Sequence, residues 1–176
     1  SGKWALVTGG ANGIGEEISR EFAKEGVNLV VTSRTSGPID KLKDNLLKYP
    51  IEVIGIEVDF LDANWIDDFE AKLKDIPIQI LVNNAGHNLN ITDPYCSIED
   101  WNRILELNFF TAVRLSNLLI PRMKNAGWGR IVNITSVAGV ENMGPVTYGV
   151  AKASLTTYTR TMGRILATEG GEVVMT

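Results

Sequence analysis

Apolar, β-branched runs alternate with amphipathic stretches along this chain. The runs fall at residues 4–8, 27–32, 51–58, 78–82 and 130–134. Their near-continuous hydrophobicity suits parallel strands buried on both faces. Between them lie helical patterns. Ile14, Ile18 and Phe22 recur every four residues and give the first helix one apolar stripe. Pro38 is placed to start the second helix, where its missing N–H costs nothing. Residues 62–73 predict a third. Ser97, with Asp100 after it, resembles a capping box with Asp in place of Glu, and opens a long helix through Met123. Strand–helix alternation at this spacing predicts an α/β fold with a doubly wound parallel sheet and helices on both faces. No internal repeat, low-complexity stretch or second domain is visible, so residues 1–176 read as a single domain.

Composition narrows the partners. Hydrophobic residues make up 44% of the 176 positions and charged ones 22%, a globular balance with enough apolar mass for a core. The net charge of −4 gives no electrostatic invitation to nucleic acid. No apolar run is long enough to span a bilayer. Cys96 is the only cysteine and cannot form an internal disulfide, which makes a reducing, cytoplasmic setting the default. With one histidine and one cysteine, a typical transition-metal cluster is not expected. No secretory signal is visible, but the chain begins at Ser1 rather than Met, so a targeting segment upstream stays open.

Two motifs carry the chemistry. Residues 8–15 read TGGANGIG, placing Gly9, Gly13 and Gly15 between a predicted strand and a predicted helix. Glycine permits the tight turn and lets backbone approach a pyrophosphate closely. The following helix points free N–H groups and the positive end of its dipole at the phosphates. Residues 148–152 read YGVAK, placing a phenol (Tyr148) and an ammonium (Lys152) one helical turn apart on one face. A free phenol ionises near pH ~10, and a nearby positive charge favours its ionised form. Such a pair can pass a proton to or from a carbonyl or alcohol oxygen.

The glycine spacing, G-x-x-x-G-x-G, resembles that of the classical short-chain dehydrogenase/reductase family. Asn83, Asn84, Ala85 and Gly86 match its next motif, Asn108 falls where the family carries a catalytic Asn, and Ser136 matches its catalytic Ser. Tyr148 and Lys152 complete the set, and the resemblance runs from about Lys3 to Glu169. It implies a Rossmann-type fold, a nicotinamide cofactor and a small carbonyl or alcohol substrate. It also implies a homotetramer or homodimer. Tyr148 would be the general acid/base, Ser136 would hold the substrate oxygen, and Asn108 would hold a water relaying protons from Lys152 to solvent. The cofactor set it implies is Gly9, Asn12, Gly13, Ile14, Gly15, Ser33, Arg34, Asp59, Phe60, Asn84, Ala85, Gly86, Tyr148 and Lys152. Asp59 is the adenine contact within that set.

The end of the second strand reads the adenosine ribose in such folds. An acidic residue there selects NAD by binding the 2′-hydroxyl. Here Ser33 and Arg34 occupy that place. No carboxylate repels a 2′-phosphate and a guanidinium can pair with one, so NADP(H) is expected over NAD(H).

Other residues read more plainly. His87, the only histidine, is expected to line or support the cleft rather than catalyse. Leu89, Asn142 and Met143 are expected to shape the substrate pocket. Trp101, Phe109 and Phe110 are expected to pack in the core or at a subunit interface, and Cys96 to be a bystander. Residues 170–176, GGEVVMT, resemble the family's last strand more than its sixth, which implies that part of the substrate-binding segment near 169–172 is missing from the chain. The main reading is an NADP(H)-dependent carbonyl reductase or alcohol dehydrogenase. Its competitors are a catalytically silent dinucleotide-binding regulatory or partner subunit, and an epimerase or dehydratase that recycles nicotinamide.

Overall fold

The computed structural model describes residues 2–141 and 143–176, which fall into two compact units meeting in sequence at Ala85 and Gly86. The first unit holds strands β1 (Trp4–Val7), β2 (Asn28–Ser33), β3 (Val53–Glu57) and β4 (Ile78–Asn83). All are parallel, in the order β3-β2-β1-β4. Helices α1 (Gly13–Lys24), α2 (Ser36–Leu46) and α3 (Trp65–Leu73) connect them. Ala5, Leu6, Val7, Leu29, Val30 and Val31 are wholly buried, as expected of central parallel strands covered on both faces. The register slips between Trp4 and Ala5, where the Trp4 N–H donates to Gln79 Oε1 at 2.7 Å instead of to backbone.

The helices depart from their expected faces and limits in instructive ways. The stripe Ile14–Ile18–Phe22 is not the most buried face of α1. That face is Gly15, Ser19 and Ala23, while Ile14 is 66% exposed. Small side chains let the helix backbone lie close to its neighbours, and a Cβ on Gly15 would sit 2.3 Å from Gly9 O. Helix α2 begins at Ser36, so Pro38 lies inside its first turn rather than at its start. Proline is tolerated there because first-turn N–H groups have no intrahelical acceptor. Helix α3 begins at Trp65, after a turn in which Asp59 Oδ1 accepts from Leu61 N at 3.0 Å.

The second unit holds α4 (Ile98–Leu105), α5 (Thr111–Asn125), β5 (Gly129–Asn133), α6 (Val146–Thr168) and β6 (Val173–Met175). Ser97 caps α4 by accepting from Asp100 N at 3.1 Å. The shorter Asp100 side chain meets the Ser97 hydroxyl at 3.0 Å rather than reaching the cap backbone. The long helix is broken into α4 and α5 by a π-helical segment, Glu106–Phe110. Residues 173–175 form the sixth strand in chain order. Strand β6 follows α6 directly and pairs parallel with β5, Gly129 to Val173 and Ile131 to Met175. Gly170 and Gly171, at φ 118° and 76°, make the short turn into it. Gly163 of α6 lets β6 approach, since a Cβ there would lie 2.8 Å from Met175 O.

This parallel α/β architecture is a Rossmann-type doubly wound fold. Among the described residues, no helix is long and apolar enough to cross a membrane.

Candidate active site

In the first unit the glycine loop is held from beneath by hydroxyls. Thr8 is buried, and its Oγ1 accepts from Asn84 N and Ala85 N, both at 2.9 Å. Asn84 Nδ2 donates to Thr8 O at 2.9 Å and to Gly9 O at 3.3 Å. Its amide is therefore a clasp on the loop. Gly9 N donates to Thr32 Oγ1 at 3.0 Å, and the buried Ser19 hydroxyl reaches both Gly10 O and Gly15 O at 2.9 Å. Thr8, Ser19 and Thr32 escaped the sequence reading. Their one legible signal was a polar residue set in an apolar strand or on a buried helix face.

The loop suits an anionic ligand. Gly9 and Gly13 have φ of 62° and 51°, where an L side chain is strained, and no atom lies within 4 Å of a Cβ built on Gly13. Asn12 makes no side-chain cap on α1, so the first-turn N–H groups stay open to a ligand. Ile14 is exposed beside them. Ser33 closes β2, with Arg34 exposed after it. Asp59 is half-buried. The Phe60 ring packs edge-on to Trp65, centroids 4.8 Å apart, so what this residue offers a ligand is backbone. These features fit a dinucleotide phosphate in character and charge.

The second unit contains Gly86, Asn108, Ser136, Tyr148 and Lys152. Asn108 sits in the π-helical segment and is 1% exposed. Its Nδ2 donates to Ile104 O and His87 O, both at 2.9 Å, and its Oδ1 accepts from His87 N at 3.0 Å. Both amide hydrogens are therefore engaged, and a water contact from this residue would fall to its backbone carbonyl or to the remaining Oδ1 lone pair. The π segment aims the residue, a recurring use of such segments at functional sites. No sequence period announced it. Gly86 is needed beside this amide. A Cβ there would lie 2.7 Å from Asn108 Oδ1 and 3.0 Å from Lys152 Nζ.

Lys152 is 2% exposed, and its Nζ donates to Ile134 O at 2.8 Å. Burial pulls its ammonium down to about 8. The same Nζ lies 5.8 Å from the Tyr148 ring centroid, as expected for residues one turn apart on α6. Ser136 follows β5 and caps a 3-10 turn at Val137–Gly139, accepting from Ala138 N at 3.2 Å. Because Oγ accepts there, its O–H is free to donate elsewhere. Gly139 sets this turn tightly on α6, since a Cβ would lie 2.6 Å from Ala153 N.

A cleft of about 490 Å³ opens beside Tyr148, lined also by Gly86, His87, Asn88, Ala138, Met143 and Pro145. Asn142 lies outside the described residues. Leu89 adopts φ 53° in the loop that borders the cleft. Tyr158 and Phe109 pack edge-on at 6.0 Å, Phe110 is 42% exposed, and Trp101 and Cys96 are half-buried. Among the described residues, no group of three or more His, Cys, Asp or Glu could hold a metal ion.

Comparison with known proteins agrees with this arrangement. The family model for short chain dehydrogenase matches residues 3–176. A 3-oxoacyl-[acyl-carrier-protein] reductase of Aquifex aeolicus is 31% identical over 170 residues, covering 94% of this chain and 68% of that protein. The very-long-chain 3-oxoacyl-CoA reductase of Bos taurus is 30% identical over 158 residues, covering 86% of this chain, which spans only 51% of the bovine enzyme. Among solved structures, an L-sorbose reductase of Gluconobacter frateurii complexed with NADPH and L-sorbose superposes with a TM-score of 0.89 at 30% identity, covering 98% of this chain and 66% of that one. On fold and sequence together, the chain belongs to the short-chain dehydrogenase family.

Proposed function

We propose that the chain is an NADP(H)-dependent oxidoreductase that interconverts a carbonyl and a secondary alcohol, with Tyr148 as the proton donor and acceptor. The observation that carries this reading is the buried Lys152 ammonium, fixed by Ile134 O, with the Tyr148 ring beside it at the edge of an open cleft. A buried cation beside a phenol serves proton transfer, because its charge favours the phenolate that remains after donation.

The residues divide the work. Ser136 donates its free O–H to the carbonyl oxygen and orients it. Tyr148 gives its proton to the same oxygen as negative charge develops there, and Lys152 returns a proton to the phenolate. Asn108 keeps the His87 backbone and the π segment in place around this pair. When bound, NADPH supplies the hydride that reduces the carbonyl carbon. The glycine loop, the start of α1, Ser33 and Arg34 would hold its phosphates, and Asp59 its adenine. The substrate is a small carbonyl compound, and the similarity to 3-oxoacyl reductases favours 3-oxoacyl thioesters or esters among the candidates.

The test is NADPH oxidation against a panel of ketones and 3-oxoacyl thioesters, with Tyr148→Phe alongside. Turnover that disappears in the variant, while NADPH still binds, supports the reading. Turnover retained by Tyr148→Phe removes the tyrosine from the mechanism.

A further inference from the structure

We infer that His87 selects the substrate, its Nε2–H donating to a second oxygen of the carbonyl compound being reduced. This rests on the reductase reading above and adds a residue and a chemical requirement to it.

The tautomer of the neutral ring follows from geometry. His87 Nδ1 lies 2.8 Å from Leu89 N. A backbone N–H can only donate, so Nδ1 carries a lone pair and the neutral ring has its proton on Nε2. Among the described residues, Nε2 has no protein partner, although the ring is exposed and lines the same cleft as Tyr148. The loop presenting it is fixed at several points. His87 N and O are both bonded to Asn108, Asn90 N donates to Asn88 Oδ1 at 3.0 Å, and Ile91 N donates to Asn88 O at 2.9 Å. Leu89 and Asn90 hold φ of 53° and 59°, left-handed values that are uncommon for a leucine. A donor held this firmly in an open cleft reads an acceptor, because a site built to hydrogen-bond an oxygen discriminates against compounds that lack it. Ala138, Met143 and Pro145 supply apolar wall in the same cleft. The substrate class is therefore a ketone carrying a second carbonyl-type oxygen and an apolar chain, such as a 3-oxo ester or thioester.

Two substitutions separate the ring's nitrogens. In His87→Asn the amide oxygen stands near the place of Nδ1 and can still hold Leu89, but the distal donor is gone. In His87→Gln the amide nitrogen stands near the place of Nε2, but the acceptor for Leu89 is gone. The probes are ethyl 3-oxobutanoate and 2-heptanone, of similar length but with one and no second carbonyl oxygen. The ester-to-ketone ratio of kcat/KM should fall about tenfold in His87→Asn, mainly through KM, and stay near the wild-type ratio in His87→Gln. A wild-type ratio in His87→Asn would overturn the inference and leave the ring as a loop brace only.

A second readout does not need turnover. His87 is the only histidine in the chain, so nitrogen-15 spectra of the untagged protein report its ring alone. The Nε2–H tautomer is expected, with the Nε2 proton moving downfield when ethyl 3-oxobutanoate is added in the presence of NADP⁺. A ring signal unmoved at saturating ester would overturn the inference while leaving the reductase reading intact. Failure of wild type to reduce either probe, or any compound in the wider panel, would defeat both.

Discussion

Asn108 and His87 grip each other at two points: His87 N donates to Asn108 Oδ1 at 3.0 Å, and Asn108 Nδ2 donates back to His87 O at 2.9 Å. A side-chain amide here imitates a strand partner and fastens the loop after β4 to the π-helical segment. Asn108 is also bonded to Ile104 O, so it joins the loop, the helix and the neighbourhood of Lys152. Its removal acts on geometry before it acts on chemistry.

Asn108→Ala should therefore destabilise the fold as well as lower turnover. It removes the partner of the buried Ile104 O and of the part-buried His87 N–H and O, a loss of about 1–3 kcal/mol. Urea unfolding monitored by tryptophan fluorescence measures it. A midpoint equal to wild type would show that the clamp contributes nothing to stability.

Lys152 gives a pH dependence with a definite sign. Its ordinary value is 10.5, and burial lowers it to about 8. Between those limits the unfolded chain binds more protons than the folded one, so this residue makes stability rise with pH across that window. Below about 8 the charged ammonium is buried at full cost. Lys152→Met lacks the effect. The unfolding free energy of wild type relative to Lys152→Met should climb by an amount on the order of 3 kcal/mol between the two limits. A flat difference would contradict the burial of a titrating amine.

Arg34 stands exposed after β2, which ends at Ser33, and under the proposed function it meets the 2′-phosphate. Arg34→Ala should weaken NADPH about 10- to 100-fold, the range for a hydrogen bond to a charged group, and leave NADH nearly unchanged. Fluorescence titration of both reduced cofactors measures it. Equal losses would remove Arg34 from 2′-phosphate recognition.

Much of the scaffold was legible because parallel strands buried on both faces leave an unbroken apolar record. Ala5–Val7 and Leu29–Val31 show that record and are fully buried. The order of motifs likewise located Tyr148 and Lys152 on one helix, since a spacing of four residues has only one meaning there. Other features left weaker marks. Helix α1 packs through Gly15, Ser19 and Ala23, and a face of small residues does not stand out against Ile14, Ile18 and Phe22. The π segment at Glu106–Phe110 has no period of its own. Strand β6 is three residues long, and it is identified by pairing with β5 rather than by its composition. His87 was legible as a cleft residue, but its tautomer depends on Leu89 N, a contact made by a left-handed turn that the sequence did not announce.

The most direct test of the central claim is to follow the hydride. The protein would be incubated with NADPH deuterated at the transferable C4 position and ethyl 3-oxobutanoate, and the product alcohol examined by mass spectrometry. One deuterium at the carbinol carbon for each cofactor oxidised is the predicted result, absent with Tyr148→Phe. An alcohol without deuterium, or cofactor oxidation without alcohol, would contradict the proposal that this chain is a carbonyl reductase.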